Sequence, residues 1–425
     1  MVLSPTEVQV IVSIVVLVVL LHMILGGCAY SILLERKLSA WMQDRVGPNR
    51  VGPKGLLQPL ADGLKFLLKE DYNPRGVDIW LFLLAPAFIM VPAMISFVIV
   101  PFSNAIDITG LVELVGVAEP GSKYLVSLVG ADINIGVIYF IAVGSLGVYG
   151  VVLGGWASNN KFSFLGGLRA SAQMVSYEIP MGLALLAVVL MAGSVSPFEI
   201  ISQQQAGAWN ILQMPVAALL FYVCMLAESN RAPFDLAEAE SELIGGYHTE
   251  YSSMKFALFF LAEYFHMIAG AAFFAMLFLG GWSIDPIAGI IGWDLTNPDA
   301  VWWVGILQVG VMLGKMAFLV AFGMAIRWTL PRFRFDQLMR LAWEGMIPCS
   351  LLVVVMTAVW VFLGWQDWMF LASLATILIV YIVHPFMPRQ DEVNDRIQMI
   401  GSRFNPVDEH DDQAAGASSN VSLTD

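Results

Sequence analysis

The run VQVIVSIVVLVVLLHMILGGCAYSIL, from Val8 to Leu33, holds 26 residues without a Lys, Arg, Asp or Glu. A helix rises about 1.5 Å per residue, so roughly 20 apolar residues cross a hydrocarbon core about 30 Å thick. Lipid offers backbone N–H and C=O groups no partners, so such a run must close its hydrogen bonds as a helix. It is too long and too unalternating for a barrel strand. No Lys or Arg precedes Arg36, and the run continues into Glu35-Arg36-Lys37 without a small-residue cleavage site. It therefore reads as a retained span and not a signal peptide.

Eight further segments repeat the pattern, at 79–101, 134–156, 169–192, 212–229, 254–282, 301–327, 346–364 and 367–385. Of the 425 residues 58% are hydrophobic and 13% charged. A soluble domain carries about 25% charged residues. The expected fold is an all-α integral membrane protein of about nine transmembrane helices. Its expected divisions are a membrane domain over 1–364, an additional ninth helix in 365–388 and a cytoplasmic polar tail over 389–425. The tail reads VDEHDDQAAGASSNVSLTD from Val407. Its polarity and lack of apolar periodicity predict disorder.

Nineteen of the 21 Lys and Arg fall in loops of one side and the tail, leaving Lys123 opposite and Lys315 inside the seventh segment. The positive-inside rule then places the N-terminus outside and the C-terminus in the cytoplasm, in a multi-pass inner or plasma membrane protein. A net charge of −13 argues against nucleic acid. Cys28, Cys224 and Cys349 are widely separated, with no metal-ligand spacing. No glycine-rich phosphate or dinucleotide loop is present. Redox chemistry involving this chain would draw electrons from a partner.

Two cytoplasmic loops are organised. In the first, Leu56, Leu57, Leu60, Leu64, Leu67 and Leu68 share one helical face, and Asp62, Lys65 and Lys69 share the other. The pattern predicts an amphipathic interfacial helix, which suits a surface anchor or the wall of a membrane-edge cavity. The loop between segments five and six, from Glu228 to Leu243, carries Asp235, Glu238, Glu240 and Glu242 besides Glu228, against Arg231 alone. Partly buried carboxylates at such spacing repel, which favours retaining a proton on one of them. In water the same run is a solvated face.

Ionisable groups inside spans cost about 2.5–3.5 kcal/mol each on insertion scales, so they pair or line wet cavities. Glu178, Glu263 and Lys315 are such groups, and His266 follows Glu263 by one turn. Lys315 is expected to pair with Glu178 or with Glu263. Interhelical glue and a proton route entering from the acidic loop both fit the set.

These stretches resemble a family. Gly55-Leu-Leu-Gln58-Pro-Leu-Ala-Asp62-Gly-Leu-Lys65 and Pro233-Phe-Asp235-Leu-Ala-Glu238-Ala-Glu240-Ser-Glu242-Leu are similar to signatures of the H subunit of proton-pumping NADH–quinone oxidoreductase, respiratory complex I. Further stretches agree, including Phe260-Leu-Ala-Glu263-Tyr264 and Arg327-Trp-Thr-Leu-Pro-Arg-Phe-Arg334. The resemblance covers residues 8–364. It implies a translocase subunit, inactive alone, whose substrate is a quinone (ubiquinone or menaquinone). By that resemblance Arg36, Arg45, Asp62, Lys65, Arg231, Phe234 and Asp235 belong to the quinone chamber. Glu178, Glu228, Glu238, Glu240, Glu242, Glu263 and Lys315 are expected on the proton path. NAD, FMN and iron–sulfur clusters are implied on partner subunits, and the partners are hydrophilic-arm quinone-site subunits and neighbouring membrane subunits. Two features depart from the family pattern: the ninth span with its tail, and the residues Ala239 and His248. Related alternatives are the membrane subunit of a membrane-bound hydrogenase and a carboxylate-based secondary transporter. The latter calls for inverted repeats, which the sequence does not display.

Overall fold

The structure is a computed structural model describing residues 4–116, 119, 122–237, 240–284 and 302–383. Glu238, Ala239 and the tail from 389 lie outside the described residues. In chain order, α1 (Pro5–Met42) is followed by the short α2 (Gln58–Leu68) and by α3 (Ile79–Ile95). A two-stranded ribbon pairs Ile106 with Val126 around α4 (Thr109–Val115). Then come α5 (Gly136–Ser145), α6 (Gly147–Ala157), α7 (Lys161–Ala192), α8 (Pro197–Ala206), α9 (Asn210–Gln213), α10 (Pro215–Glu228) and α11 (Glu240–Leu243). The chain continues through α12 (Ser253–Phe278), α13 (Trp302–Thr329), α14 (Phe335–Arg340), a π-helical turn (Leu341–Met346), α15 (Ile347–Phe362) and α16 (Met369–Val383). One compact unit runs to Leu378; of the second, from Ile379, only the end of α16 is described.

Eight helices among the described residues are long and apolar enough to cross a membrane, against nine expected. The exception is the fifth segment, where α10 has 14 residues, about 21 Å of rise. Met214 has φ −131° and ψ 59°, outside the helical region, and precedes Pro215. The proline ring disfavours helical backbone in the residue before it, so the apolar run is divided. The last predicted span is present as α16, preceded by the short turn Gln366–Trp368.

The core sits on α12. From Ala262 to Phe278 every residue except His266 is buried. Around α12 pack α3, α13, α1 and α10, while α7 packs on α6, α10 and α15. Without a hydrophobic force between helices in lipid, close approach depends on small residues. Gly150 supplies one on α6: a Cβ there would lie 2.7 Å from the Ile89 backbone nitrogen and 2.9 Å from the Ala85 carbonyl of α3.

The third span is broken between Ser145 and Gly147. Leu146 N–H bonds to Val143 O and Tyr149 N–H to Leu146 O, each at 3.2 Å, replacing four-residue spacing by three. The Ser145 hydroxyl donates to Ile141 O at 3.0 Å. Glycine on both sides and this back-bonding explain the interruption.

Gly150→Ala is expected to destabilise the protein by about 1–3 kcal/mol through overpacking. Gly182→Ala, where nothing lies within 4 Å, should leave stability unchanged or raise it. Thermal unfolding of the two variants purified from membranes compares them directly.

Candidate functional site

Helix α2 forms one wall of a cavity of about 750 Å³, completed by α1 and α12. No residue of α2 is buried, because its leucines face the cavity and the surroundings rather than a core. What holds α2 in place is polar. The Ser253 hydroxyl, at the start of α12, lies 2.9 Å from both the Phe66 and Lys69 carbonyls, meeting orphan acceptors at the helix end. At the cavity Arg36 from α1 pairs with Asp62 at 2.8 Å, and Gln58 donates to the other Asp62 oxygen at 3.1 Å. These are the two predicted chamber residues that the structure places on the cavity wall. Arg45 instead donates to Gln43, and Lys65 is exposed beside the Phe66 ring.

Phe260, on the cavity wall, separates the cavity from a buried charge cluster. The Arg231 guanidinium lies 5.3 Å from the Phe260 ring and 4.2 Å from the Tyr264 ring. It contacts Glu263 at 3.1 Å and Glu35 at 3.9 Å. Arg327 of α13 donates to Glu35 at 2.5 Å, and the Tyr264 hydroxyl donates to the other Glu35 oxygen at 2.6 Å. The Tyr247 hydroxyl donates to Glu263 at 3.3 Å. Arg231, Glu35 and Glu263 are 4%, 7% and 2% exposed. Two arginines thus balance two carboxylates, and cation–π contact adds to the arginine's stabilisation. Sequence reading named Arg231 and Glu263 but missed Glu35 and Arg327. Both lie near the ends of spans, Glu35 beside Arg36 and Lys37, where an interfacial position explains them equally well.

The first half of the acidic loop is fixed by Gln173, fully buried on α7. Its amide donates to Ala227 O at 2.8 Å, to Phe234 O at 2.7 Å and to Asn230 Oδ1 at 3.3 Å. Phe234 stacks on Phe333 with ring centres 5.5 Å apart, packed away from the cavity. The Asp235 carbonyl accepts from Arg332 at 3.1 Å. Glu242 pairs with Arg169 at 2.5 Å on a more exposed face. Beyond α11, Ile244 has φ +69°, a strained conformation for a β-branched residue. Burial raises the Tyr251 hydroxyl above its ordinary value, so this stacked partner of Phe82 stays protonated.

A second group of carboxylates lies at the broken third span. Glu228 ends α10 with Oε1 against Gly144, at 3.1 Å from where a Cβ would stand. Glu178 of α7 is near enough to interact electrostatically with Glu228, and the Ser145 side chain lies beside it. Lys315 does not form the expected ion pair with Glu178 or Glu263 among the described residues. Its ammonium donates to Leu279 O at 2.6 Å, Gly281 O at 2.8 Å and Ser283 O, and lies 4.5 Å from the Trp209 ring centre. These carbonyls belong to the segment that follows the end of α12 at Phe278, where no helical ladder uses them, so they are open to the cation.

Arg231→Met leaves Glu263 facing a neutral side chain and should cost about 3–5 kcal/mol. Adding Glu263→Gln should recover part of that loss. Unfolding midpoints of the single and double variants measure the coupling, which is absent if the double variant is no more stable than Arg231→Met.

The chain matches the family described as NADH dehydrogenase over residues 14–358. It is 46% identical over 328 residues to the first of the NADH-quinone oxidoreductase H subunits of Cytophaga hutchinsonii, covering 77% of this chain and 90% of that protein. It is 44% identical over 353 residues to the NADH-quinone oxidoreductase H subunit of Leptospira biflexa, covering 82% and 95%. The first such H subunit of Geobacter sulfurreducens is 45% identical over 347 residues, covering 81% and 93%. Matches of this extent, over a chain of long apolar helices, show that the chain belongs to the NADH dehydrogenase family, with the H subunits of NADH-quinone oxidoreductase as its relatives.

Proposed function

We propose that this protein forms the membrane wall of a quinone site and couples quinone reduction to proton movement. The observation that carries the reading is the apolar cavity with the Arg36–Asp62 pair on its wall, backed through Phe260 by three buried charges and the half-buried Arg327. Apolar walls suit an isoprenoid tail, and a charged pair suits the polar head group. NADH, FMN and iron–sulfur clusters belong to partner subunits, with electrons arriving from the hydrophilic arm across the cytoplasmic face. Neighbouring membrane subunits take up the coupled protons. On this reading the N-terminus faces outward and the C-terminus faces the cytoplasm.

Coupling is electrostatic. A unit charge formed in the cavity, roughly 8 Å from a carboxylate at an effective dielectric of about 20, acts with about 2 kcal/mol. That is enough to redistribute protons among adjoining groups. Glu35 and Glu263 receive this field first. Glu178 and Glu228 carry the proton further, and Glu238, Glu240 and Glu242 serve the cytoplasmic approach. Lys315, seated on carbonyls just beyond the far end of α12, ties down the segment that follows the helix on this reading rather than serving the route.

Asp62→Asn is expected to lower quinone-linked turnover of the purified complex about tenfold, with NADH–ferricyanide activity from the partner arm retained. Glu228→Gln should suppress proton pumping, read as acidification by reconstituted vesicles. Full quinone reduction and pumping in both variants would remove the assignment.

A further inference from the structure

His266 is the one residue between Ala262 and Phe278 of α12 that is not fully buried. Its Nε2 is nevertheless inaccessible and has no hydrogen-bond partner among the described residues. A buried polar atom without a partner is uncommon and calls for an explanation. The ring packs close to the backbone of Ile89 on α3. Nε2 and Cε1 point at the broken third span, each 3.2 Å from where a Cβ on Gly147 would stand.

That position has two sets of neighbours. Gly144 lies three residues before Gly147, and Glu228 Oε1 occupies the space that Gly144 leaves. Glu228 and His266 therefore meet the same glycine-lined side of the break, and Glu178 interacts with Glu228 from α7. On its own helix His266 follows Glu263 by three residues, so the two side chains share a face. Glu263 belongs to the charge cluster behind the cavity. His266 thus stands between the cluster and the carboxylate pair, with an unused nitrogen on the side of the pair.

We propose that His266 is the proton-carrying group that joins the Glu263–Arg231–Glu35 cluster to the Glu178–Glu228 pair at the break of the third span. The inference rests on the proton-coupling role above and adds a link to it. In the transfer, Nε2 takes a proton from the carboxylic acid form of Glu263, which returns to carboxylate as the imidazole becomes imidazolium. It then gives that proton to the Glu228 carboxylate, which becomes a carboxylic acid as the imidazole returns to neutral. Charge balances at each step, and no redox partner is needed. The missing side chains at Gly144 and Gly147 leave room for the two groups to approach, directly or through one water.

The test uses the intact complex reconstituted in vesicles, with rates normalised to assembled complex on native gels. His266→Phe retains an aromatic ring, and His266→Gln retains polarity; neither carries a proton at this position. Both variants should slow coupled quinone reduction about tenfold and raise the solvent deuterium isotope effect. Gly147→Ala, pressing on Nε2, should give a smaller change in the same direction. Glu228→Gln is measured alongside. If it blocks pumping while both His266 variants turn over and pump normally, the histidine link is overturned and the carboxylate route stands. If Glu228→Gln itself pumps normally, the underlying route is overturned. A slowed His266→Gln with an unchanged isotope effect marks a packing role and overturns the link. If His266→Phe does not assemble, His266→Gln decides the matter.

Discussion

The guanidinium of Arg231 can be held inside this protein only because two carboxylates reach it from different helices. Glu263 comes from α12 and Glu35 from α1, while Arg327 of α13 balances the second carboxylate. Desolvating each of these ions costs several kcal/mol, and the cost is recovered only if all four keep their geometry. Helices α1, α12 and α13 and the segment after α10 are therefore mutually fixed by charge as well as by packing. The cavity inherits its shape from this constraint, since α1 and α12 are two of its walls and Ser253 on α12 places the third.

The acidic loop is held unequally at its two ends. Near α10 it hangs on the Gln173 amide, in a dry site where unmade hydrogen bonds are expensive. Near α11 it is tied by the Arg169–Glu242 ion pair, whose side chains are 31% and 39% exposed. Surface pairs of that kind contribute at most about 1 kcal/mol. Positive backbone angles at Asn230 and Ile244 store strain on both flanks. A loop with one firm and one weak attachment can change the environment of its carboxylates without disturbing the helices beneath it.

Most of the fold was legible in the sequence because hydrocarbon imposes one solution on a long apolar run. The fifth segment was the exception: composition alone counted 212–229 as a span, whereas the break at Met214–Pro215 depends on backbone geometry. The amphipathic α2 was legible from its leucine spacing. The site was less so. Arg36 and Asp62 are 26 positions apart, and their pairing follows from how α2 folds back on α1. Glu35 was hidden beside Arg36 and Lys37, as an ordinary charge at a membrane surface. Lys315 invited a carboxylate partner, yet its partners include carbonyls just beyond α12, and no sequence pattern announces those. Residues beyond the family match at 358 include α16, so the resemblance assigns that helix no role.

Phe260 acts as a gasket between two media. On one side is a cavity that admits solvent or an apolar guest; on the other are Arg231, Glu35 and Glu263, with almost no exposure, and Arg327 beyond them. An apolar guest that expels water from the cavity removes the screening on that side of the ring. The field of any charge reaching the buried arginine then grows, even though the guest touches none of the four ions. On the function proposed above, occupancy and reduction thus become separate signals to the same cluster, one altering the medium and the other the charge within it.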